Sequence, residues 1–597
     1  MRLFHSILIP AFCISLLGCP EDNTVDPADS TSDLVDVSLE TEDINASQDS
    51  SEEESDVESE TGLDGESSEP KDTVVDGTAE EDTTEVEDSS QTEEDTGDEP
   101  NDGFPGDGDS PAGLTPSIDS VEIAATPDWG LGAIVQVSTS IPCDLSVTLA
   151  GPEGERVLPK TAVKEEGANK YRVLLLGMLA DTEYQISVVA VGSNGSESQP
   201  SEISWSTEPL PEGLFAVEWE PTENFVEDES GYIAFSASDV TQGVPQGQKV
   251  GYLMILNRNA EVVGYKQWAT QQGYARKLPQ GGWISLQGKL ALSKWNLEGA
   301  LDLKLEALDT ESDSFHHELL PLPDGRIATL GSVLQVIDGY AEGSLDVVGD
   351  SVIEGDLEAP SLSILWDTFG SLDPFRVITG FTSTFWANHY AFTSDDPKDW
   401  THGNSIFLTE NEASYILSIR NQNMVAQFSR DTGELQWALG TPSPTSEADD
   451  TWPWLAVAEG TRLPNQQHAA TLTPEGNLMV YDNGNDVDTS YVTEYALNPE
   501  TLSAELVFIW TDPDAAPPIH SRNGGHAEGL PGNRVMLTHS QLIENPEDND
   551  SRTFPLIQMI RKEGENTVKE WDLAVKHPNP TRSTRIYRAH HLESLYP

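Results

Sequence analysis

Four of the twelve histidines recur in one repeated sequence frame, and an imidazole can act as nucleophile, acid or base near pH 7. Five residues separate His317 and His468 from a Pro-acid-Gly turn, and His526 precedes a similar turn one residue sooner. His402 lies three residues before the matching position of a fourth copy. A lone histidine is usually structural, but equivalent positions of a repeat converge in the folded chain. The frame therefore predicts several imidazoles around one pocket.

The sequence offers no evident motif for binding a metal or a nucleotide. Residues 482–486 (Asp-Asn-Gly-Asn-Asp) superficially suggest a Ca²⁺ loop but lack EF-hand spacing, so a solvated turn is expected there. No glycine-rich loop precedes a helix, so a nucleotide donor has no evident binding site. The histidines are therefore expected to act without a metal and without a nucleotide cofactor.

The elements that carry these residues are short strands. Residues 208–597 show strands and glycine turns with almost no helical periodicity. Successive histidines stand 66 residues (His402 to His468) and 58 residues (His468 to His526) apart. The repeats close with a strand that ends in tryptophan, namely Trp366, Trp437, Trp510, Trp571 and, more weakly, Trp268. Units of this size are typical of propeller blades, so the sequence predicts an all-β, six-bladed β-propeller.

A different pattern precedes the propeller. Residues 114–207 alternate apolar and polar side chains in short runs separated by turns, over the length of a small β-sandwich. Residues 179–184 resemble the tyrosine corner of fibronectin type III domains, and residues 203–207 resemble their last strand. The sequence predicts an immunoglobulin or fibronectin III-like sandwich that acts as a spacer or an adhesive module.

The first eighteen residues predict export. A positive start and a short apolar run are typical of a secretory signal, and Leu16-Leu17-Gly18-Cys19 resembles a bacterial lipobox. Residues 1–18 are therefore expected to be a lipoprotein signal peptide, with Cys19 acylated and the chain anchored to a membrane. The anchored chain would face either the periplasm or the cell surface. Cys143 would then be the remaining thiol, which excludes an internal disulfide.

The net charge of −73 is concentrated near this anchor. Residues 20–110 contain 35 acidic residues against one basic residue, Lys71. Such a segment buries too little apolar surface to offset the entropy of ordering, so residues 19–113 are expected to form a disordered tether. A chain with this negative charge is also expected to bind nucleic acid poorly.

The histidine segments resemble one known family. The matching segments are residues 399–406 (Asp-Trp-Thr-His-Gly-Asn-Ser-Ile), 417–423 (Leu-Ser-Ile-Arg-Asn-Gln-Asn), 437–440 (Trp-Ala-Leu-Gly), 467–468 and 481–485 (Tyr-Asp-Asn-Gly-Asn). Together they resemble the active-site blade of arylsulfate sulfotransferases. The resemblance covers about residues 310–597 and, more faintly, residues 215–310.

The resemblance implies a chemistry and roles for these residues. It implies transfer of a sulfuryl group from an aryl sulfate ester to a phenolic acceptor, without the nucleotide donor PAPS and without a cofactor. It implies that His468 becomes sulfated, and that His402, Asn404 and Arg420 surround the sulfuryl group. His317 matches the remaining active-site histidine, with His316 as the alternative. His402 or His317 would act as the acid and base.

A second function class fits the same fold. Propellers often serve as interaction platforms, so the protein could be a non-catalytic surface binding or adhesion protein with an idle channel. The early blades match the family weakly, which leaves the acceptor pocket open. The presence of the whole set, three histidines with the asparagine and the arginine, favours an enzyme.

Overall fold

The computed structural model describes residues 114–597 except 227–230, 269–272, 358–360, 382, 444, 447, 546–550 and 565. The signal peptide, Cys19 and the acidic tether predicted above lie outside the described residues. The described part is nearly all β-strand, which confirms the all-β prediction. It contains no helix long and apolar enough to cross a membrane.

Eight strands lie within residues 114–207. They are β1 (Ile118–Ala125), β2 (Ala133–Thr139), β3 (Asp144–Gly151), β4 (Gly154–Val157), β5 (Val163–Gly167), β6 (Lys170–Leu175), β7 (Glu183–Val191) and β8 (Ser201–Ser206). They form two antiparallel sheets of order β1-β2-β6-β5 and β4-β3-β7-β8. Residues 114–207 and the two sheets they form are called the N-terminal module below.

Alternating apolar residues explain this module. Strand β7 buries every second side chain, as expected when one face of a sheet packs on a core. Val135, Val173, Val147 and Ile186, two from each sheet, belong to one buried cluster. The hydroxyl of Tyr184 accepts a hydrogen bond from the Leu179 amide at 2.8 Å, the contact that defines a tyrosine corner. The assignment to fibronectin type III stays a prediction.

The rest of the chain adds strands β9 to β34 and one short helix. The first are β9 (Ala216–Pro221), β10 (Tyr232–Asp239), β11 (Gly251–Leu256), β12 (Val262–Gln267), β13 (Tyr274–Lys277), β14 (Trp283–Gln287), β15 (Ala291–Trp295), β16 (Leu301–Glu306), β17 (His316–Pro321), β18 (Ile327–Tyr340), β19 (Gly343–Asp356), β20 (Ser361–Asp367) and helix α1 (Thr368–Ser371). The others are β21 (Lys398–Asp399), β22 (Gly403–Leu408), β23 (Ser414–Ile419), β24 (Met424–Ser429), β25 (Leu435–Gly440), β26 (His468–Leu472), β27 (Leu478–Asp482), β28 (Tyr491–Asn498), β29 (Ser503–Trp510), β30 (His526–Leu530), β31 (Arg534–Ile543), β32 (Thr553–Glu563), β33 (Asn566–Lys576) and β34 (Thr584–Leu592).

In the described part of the chain these strands form six successive antiparallel sheets. Their orders are β34-β10-β11-β12, β13-β14-β15-β16, β17-β18-β19-β20, β22-β23-β24-β25, β26-β27-β28-β29 and β30-β31-β32-β33-β9. From β13 onward, the first strand of each order lies next to the first strand of the following sheet, and β30 lies next to β34. Strands β34 and β13 meet through the side chains of Tyr587 and Tyr274, so these inner strands surround one axis. This is the arrangement of a propeller. The tryptophans that close the repeats lie on or just after the outer strands.

The two ends of this region complete sheets that are distant in sequence. Strand β34, near the C-terminus, pairs with β10 and forms the inner strand of that sheet. Strand β9 pairs with β33 and adds a fifth strand to the outside of the last sheet. Both pairings tie the beginning of the region to its end, so the ring is closed by backbone hydrogen bonds.

The N-terminal module packs against the propeller. Trp129 stacks on Trp283 with ring centroids 6.0 Å apart, and both side chains are buried. Arg172 pairs with Glu298 of the propeller at 2.6 Å. Near the C-terminus, the hydroxyl of Tyr596 accepts a hydrogen bond from the Leu176 amide at 2.9 Å. The module therefore shares a core with the propeller.

Candidate active site

The starts of three neighbouring inner strands bring the predicted histidines together. His317 is the second residue of β17, His402 immediately precedes β22, and His468 begins β26. The rings of His317 and His402 have centroids 5.0 Å apart. His402 reaches the site although it precedes the common frame, because the backbone is irregular there.

That irregularity has a clear backbone signature. The pairing register shifts at the start of all three inner strands. His317 and His402 have φ angles of +58° and +50°, a left-handed conformation that residues other than glycine adopt rarely. Such a conformation costs on the order of 1–3 kcal/mol and is concentrated at functional sites. The bulges turn both imidazoles toward each other.

His468 has one defined tautomer. The Asn483 side-chain nitrogen donates to the carbonyl oxygens of Ser521 and Gly524, at 2.7 and 2.9 Å, so its oxygen must face His468. That oxygen lies 2.7 Å from His468 Nδ1, which is therefore the protonated nitrogen. His468 Nε2 keeps its lone pair and accepts the Gly524 amide at 3.1 Å.

The surroundings of His468 also keep it neutral. Burial lowers the pKa of His468 well below its ordinary value of 6.5, and the Arg420 charge lowers it further. The hydrogen bond to Asn483 acts in the opposite direction but does not reverse this shift. A buried, neutral imidazole with an unprotonated Nε2 is competent as a nucleophile at neutral pH once the Gly524 amide releases that atom.

His402 is oriented by a carboxylate. Its Nδ1 lies 2.6 Å from Asp399 Oδ2, which also accepts the Ser383 hydroxyl at 2.6 Å. Burial alone would raise the pKa of Asp399, but His402, Ser383 and Arg420 lower it below its usual value. An ionised Asp399 stabilises the imidazolium form of His402, as the aspartate of a catalytic triad does for its histidine. His402 is thus suited to general acid–base catalysis.

The imidazoles of the adjacent residues His316 and His317 have different hydrogen-bond partners. His316 Nε2 lies 3.1 Å from the Gly331 carbonyl and 3.2 Å from Asp350 Oδ1, so Nε2 carries its proton. The Nδ1 atoms of the two histidines are 2.8 Å apart. His317 therefore donates from Nδ1 to His316 and directs Nε2 elsewhere. The ring of His317, and not that of His316, is in contact with His402.

Arg420 presents a donor to the same space. Its two terminal nitrogens donate to Asn421 Oδ1 at 3.0 Å and Gln466 Oε1 at 3.2 Å. Its Nε–H is buried and has no hydrogen-bond partner among the described residues. A buried donor without a partner costs about 1–3 kcal/mol, and an anion bound at this edge would recover that cost. The guanidinium is thus held from behind and ready to bind an anion.

Asn404 is fully buried between the strands of the site. Its side-chain nitrogen donates to the carbonyl of Gln467, the residue before His468, at 2.8 Å. The backbone carbonyl oxygen of Asn404 accepts a hydrogen bond from the Arg588 guanidinium. The same guanidinium pairs with Glu318 at 2.5 Å. The primary visible role of Asn404 is to hold the backbone that carries His468.

Aromatic side chains border the histidines. Tyr587 of β34 has its ring centroid 5.6 Å from that of His317 and 6.2 Å from that of His468. Phe385 lies 4.9 Å from both His317 and His402. A mainly apolar pocket of ≈ 60 Å³ opens beside them and reaches the site at His317. Its apolar and aromatic lining suits an aromatic ring.

One histidine of the repeated frame is outside this site, so the expectation of four converging imidazoles is wrong by one. His526 donates from Nδ1 to the Ala589 carbonyl at 3.0 Å and faces His590.

The carboxylates of residues 482–486 form salt bridges with a guanidinium group of the same chain. Arg462 pairs with Asp482 at 2.6 Å and Asp486 at 2.7 Å.

Four functional groups were not assigned a role from the sequence. Asp399 and Asn483 lie inside the segments that resemble the family, so a search for histidine partners near those segments could have found them. The Gly524 amide and Tyr587 had no such signal. They come from other sheets, and only the closed ring brings them to His468.

Near the axis of the propeller lie a neutral histidine, a histidine–aspartate pair and an arginine, beside an aromatic pocket. This combination of fold and site is suited to a group-transfer enzyme. The family model of the arylsulfotransferases (ASST) matches residues 206–513, which is about half of the chain. The chain belongs to this family and is a sulfotransferase enzyme, with aryl sulfate donors and phenol acceptors as the family's substrates. The expectation from the sequence is confirmed at this level.

Solved structures of low identity resemble the chain. A protein described as a 6-phosphogluconolactonase from Bacteroides uniformis is 12% identical, with a TM-score of 0.31, covering 75% of this chain and 100% of its own. The periplasmic gluconolactonase PpgL of Pseudomonas aeruginosa is 12% identical, with a TM-score of 0.30, covering 60% and 99%. Hydrazine synthase of Kuenenia stuttgartiensis is 10% identical, with a TM-score of 0.28, covering 49% and 64%. No curated protein matches the chain significantly.

Proposed function

We propose that the protein transfers the sulfuryl group of an aryl sulfate ester to a phenol through a covalent sulfohistidine at His468, without PAPS. The observation that carries this proposal is the Asn483 amide, which sets the proton of His468 on Nδ1 and leaves a lone pair on Nε2. The lowered pKa of His468 keeps that lone pair unprotonated at neutral pH.

In the first half-reaction, His468 Nε2 attacks the sulfur and the bond from sulfur to the aryl oxygen breaks. The departing phenolate takes a proton from His402, whose imidazolium is stabilised by Asp399. Arg420 binds sulfuryl oxygens, where charge spreads in the transition state. Asn404 holds the backbone of Gln467 and thereby positions His468.

In the second half-reaction, the acceptor phenol occupies the place of the released phenol. Its oxygen attacks the sulfur as the N–S bond breaks, and its proton returns to His402. His317, whose ring contacts that of His402 and borders the pocket, lies beside the phenol in either step. The aromatic pocket beside His317 seats the ring of donor and acceptor in turn, which predicts ping-pong kinetics.

The Gly524 amide has two tasks in this cycle. Before reaction it donates to His468 Nε2 and aligns the lone pair. Once Nε2 carries the sulfuryl group, that lone pair is used in the N–S bond, and the same N–H can donate instead to a sulfuryl oxygen two bonds from Nε2. The amide would then act as a preorganised oxyanion donor.

The decisive experiment is intact mass after brief exposure of the protein to 4-nitrophenyl sulfate without acceptor. We expect the wild type to gain one sulfuryl group and the His468→Asn variant to gain none while remaining folded. His577→Asn, which changes a buried histidine outside the site, is the matched control and should form the adduct. Equal transfer by His468→Asn would disprove the nucleophile assignment. A wild type that cleaves no aryl sulfate would favour the binding-protein alternative.

We also propose that the enzyme is an exported lipoprotein held at a membrane through Cys19. The support is the signal-like segment 1–18 with its lipobox-like end. Cys19→Ser should release the protein from the membrane fraction or stop its maturation. Labelled fatty acid is the measurement, with Cys143→Ser as the control that keeps the label. Retention of acyl label by Cys19→Ser would refute the anchor.

A further inference from the structure

A second group of metal-ligating side chains lies outside the site described above. His526 and Glu528 stand on β30, His590 stands on β34, and one donor atom of each lies within 4.8 Å of the others. Both histidines are buried, and Glu528 is half-buried. Glu528 and His590 border a cavity of ≈ 90 Å³, large enough to hold water beside them.

The proton positions leave one lone pair of His526 for a ligand. His526 Nδ1 lies 3.0 Å from the Ala589 carbonyl oxygen, which can only accept a hydrogen bond. Nδ1 therefore carries the proton, and Nε2 keeps its lone pair. A hydrogen bond from the remote imidazole nitrogen to a backbone carbonyl is the usual outer contact of a metal-bound histidine.

His590 has a similar outer contact. Its Nε2 lies 2.8 Å from the hydroxyl of Tyr274, which also accepts from Arg276 at 3.0 Å and lies 3.4 Å from Glu318. With the Tyr274 proton directed to Glu318, His590 donates from Nε2 and keeps its lone pair on Nδ1. That atom is 3.8 Å from Glu528 Oε2.

Glu528 is positioned by the backbone. Its Oε2 accepts the His591 amide at 3.1 Å, which fixes the carboxylate beside His590. Two imidazole nitrogens and a carboxylate are a ligand set that zinc and similar divalent metals prefer. Two ligands of a tetrahedral metal at ~2.1 Å are about 3.4 Å apart, so the three side chains need to close by about an ångström or less on average.

We propose that His526, Glu528 and His590 bind one divalent transition metal of the zinc type, with water from the cavity as a further ligand. The site is separate from His468 and does not depend on the proposed function. Its ligands come from the last sheet and from the strand that closes the ring. Residues 208–597 contain no cysteine, so no disulfide can cross-link them. A metal bound by side chains of both β30 and β34 would supply such a cross-link.

The charges around the site predict the direction in which one substitution changes the affinity for the metal. The positive charges near these ligands are Arg276 and Arg588. Arg588 is paired with Glu318 at 2.5 Å, whereas Arg276 donates to the neutral hydroxyl of Tyr274. Arg276 therefore opposes a bound cation more than Arg588 does. Its replacement by glutamine should tighten metal binding.

The test uses the full chain without a histidine tag, equilibrated with Zn²⁺ or Co²⁺ and freed of excess metal by gel filtration. We expect about one metal per chain by elemental analysis, and a Co²⁺ absorption spectrum of tetrahedral type. Zn²⁺ should raise the Tm on the order of 5 °C at a concentration well above Kd. Chelation should reverse the shift.

Three variants separate this site from weak binding by the acidic residues of the chain. His590→Gln should lose the bound metal, Arg276→Gln should lower the Kd several-fold, and His577→Gln should bind as the wild type does. Support for the site requires metal that His590→Gln loses and His577→Gln retains. The site is refuted if the wild type binds none of these metals, if His590→Gln binds undiminished, or if Arg276→Gln weakens binding. The Co²⁺ spectrum of the wild type decides the matter should His590→Gln fail to fold.

Discussion

Two buried hydrogen bonds favour different protonation states of His468 and His402. The Asn483 amide oxygen keeps the His468 proton on Nδ1 and leaves a lone pair on Nε2. The Asp399 carboxylate instead stabilises the charged form of His402. In the proposed mechanism, identical side chains take the roles of nucleophile and acid because one faces a neutral acceptor and the other faces an anion. Arg420 strengthens this division, since its charge lowers the pKa of His468.

The lowered pKa of His468 predicts the pH dependence of adduct formation. The neutral imidazole is required, so the single-turnover rate with 4-nitrophenyl sulfate should stay near its maximum as the pH falls through 6.5. An acid limb should appear only at lower pH. In Arg420→Gln a neighbouring positive charge is lost, so this limb should move to higher pH even though the rate is lower. A wild-type limb centred at or above pH 6.5 would contradict the assignment.

The same shift has a consequence for stability. The unfolded chain protonates His468 near pH 6.5, whereas the folded chain does so only at lower pH. The unfolded state therefore binds more protons below pH 6.5, and stability is lost as the pH falls through that range. His526 and His590 add to this loss, because burial lowers the pKa of both well below the ordinary value.

At the scale of elements, the site is assembled from the starts of inner strands and the loops before them. The bulges of β17 and β22 place His317 and His402 side by side. The loop before β30 carries Gly524 to His468. Gly524 has φ +63°, and a Cβ there would lie 2.5 Å from Ser540 Oγ and 2.7 Å from its Cβ. A side chain at position 524 would therefore displace the loop from Ser540.

Two glycines that flank β30 test that loop. Gly524→Ala should displace the amide from His468 and lower the rate of transfer about 10-fold or more, as expected for a perturbed oxyanion donor. Gly532→Ala is the control, because Gly532 has φ +77° and open space around its Cβ position. Gly532→Ala should lose about 1 kcal/mol of stability for the left-handed conformation, and Gly524→Ala should lose more because its Cβ also overlaps Ser540. Initial rates corrected for folded fraction should fall in the first variant only; equal rates would disprove the role of Gly524.

The described part of the chain is a closed ring with the N-terminal module packed on it. Strand β34 carries Tyr587 and Arg588, so the strand that closes the ring also contributes to the candidate active site. The module contributes Trp129 to a stack with Trp283, and Arg172 to a salt bridge with Glu298. These contacts bury apolar surface of both partners, which gives the module a stabilising role in addition to any role as a spacer.

Two truncations distinguish the tether from the module. Removal of residues 20–113 should leave the Tm and the activity nearly unchanged, because this segment is acidic and has few core-forming side chains. Removal of residues 20–207 should lower the Tm, on the order of 5 °C or more, because Trp283 and its neighbours become exposed. Calorimetry of both proteins is the measurement. A large loss in the first, or none in the second, would contradict these assignments.

The fold class and most of the candidate site residues could be predicted from the amino-acid sequence. Strand patterns and the repeated histidine frame indicated a propeller, because alternation and repetition are local properties that read directly from the chain. His402, Asn404, Arg420 and His468 stood in segments that resemble the family, and the family match confirms that relationship. The choice between His316 and His317 could not be made, since adjacent residues differ only in the direction that the backbone gives them.

Tertiary structure decided how these residues are equipped to act. The positive φ of His317 and His402 shows which rings meet, and the frame alone had wrongly included His526. The proton of His468 depends on Asn483, and the orientation of Asn483 depends in turn on carbonyls of residues 521 and 524 in another sheet. Tautomer, charge state and ring closure are set by contacts between residues distant in sequence. No local pattern encodes them, because they exist only once the ring has closed.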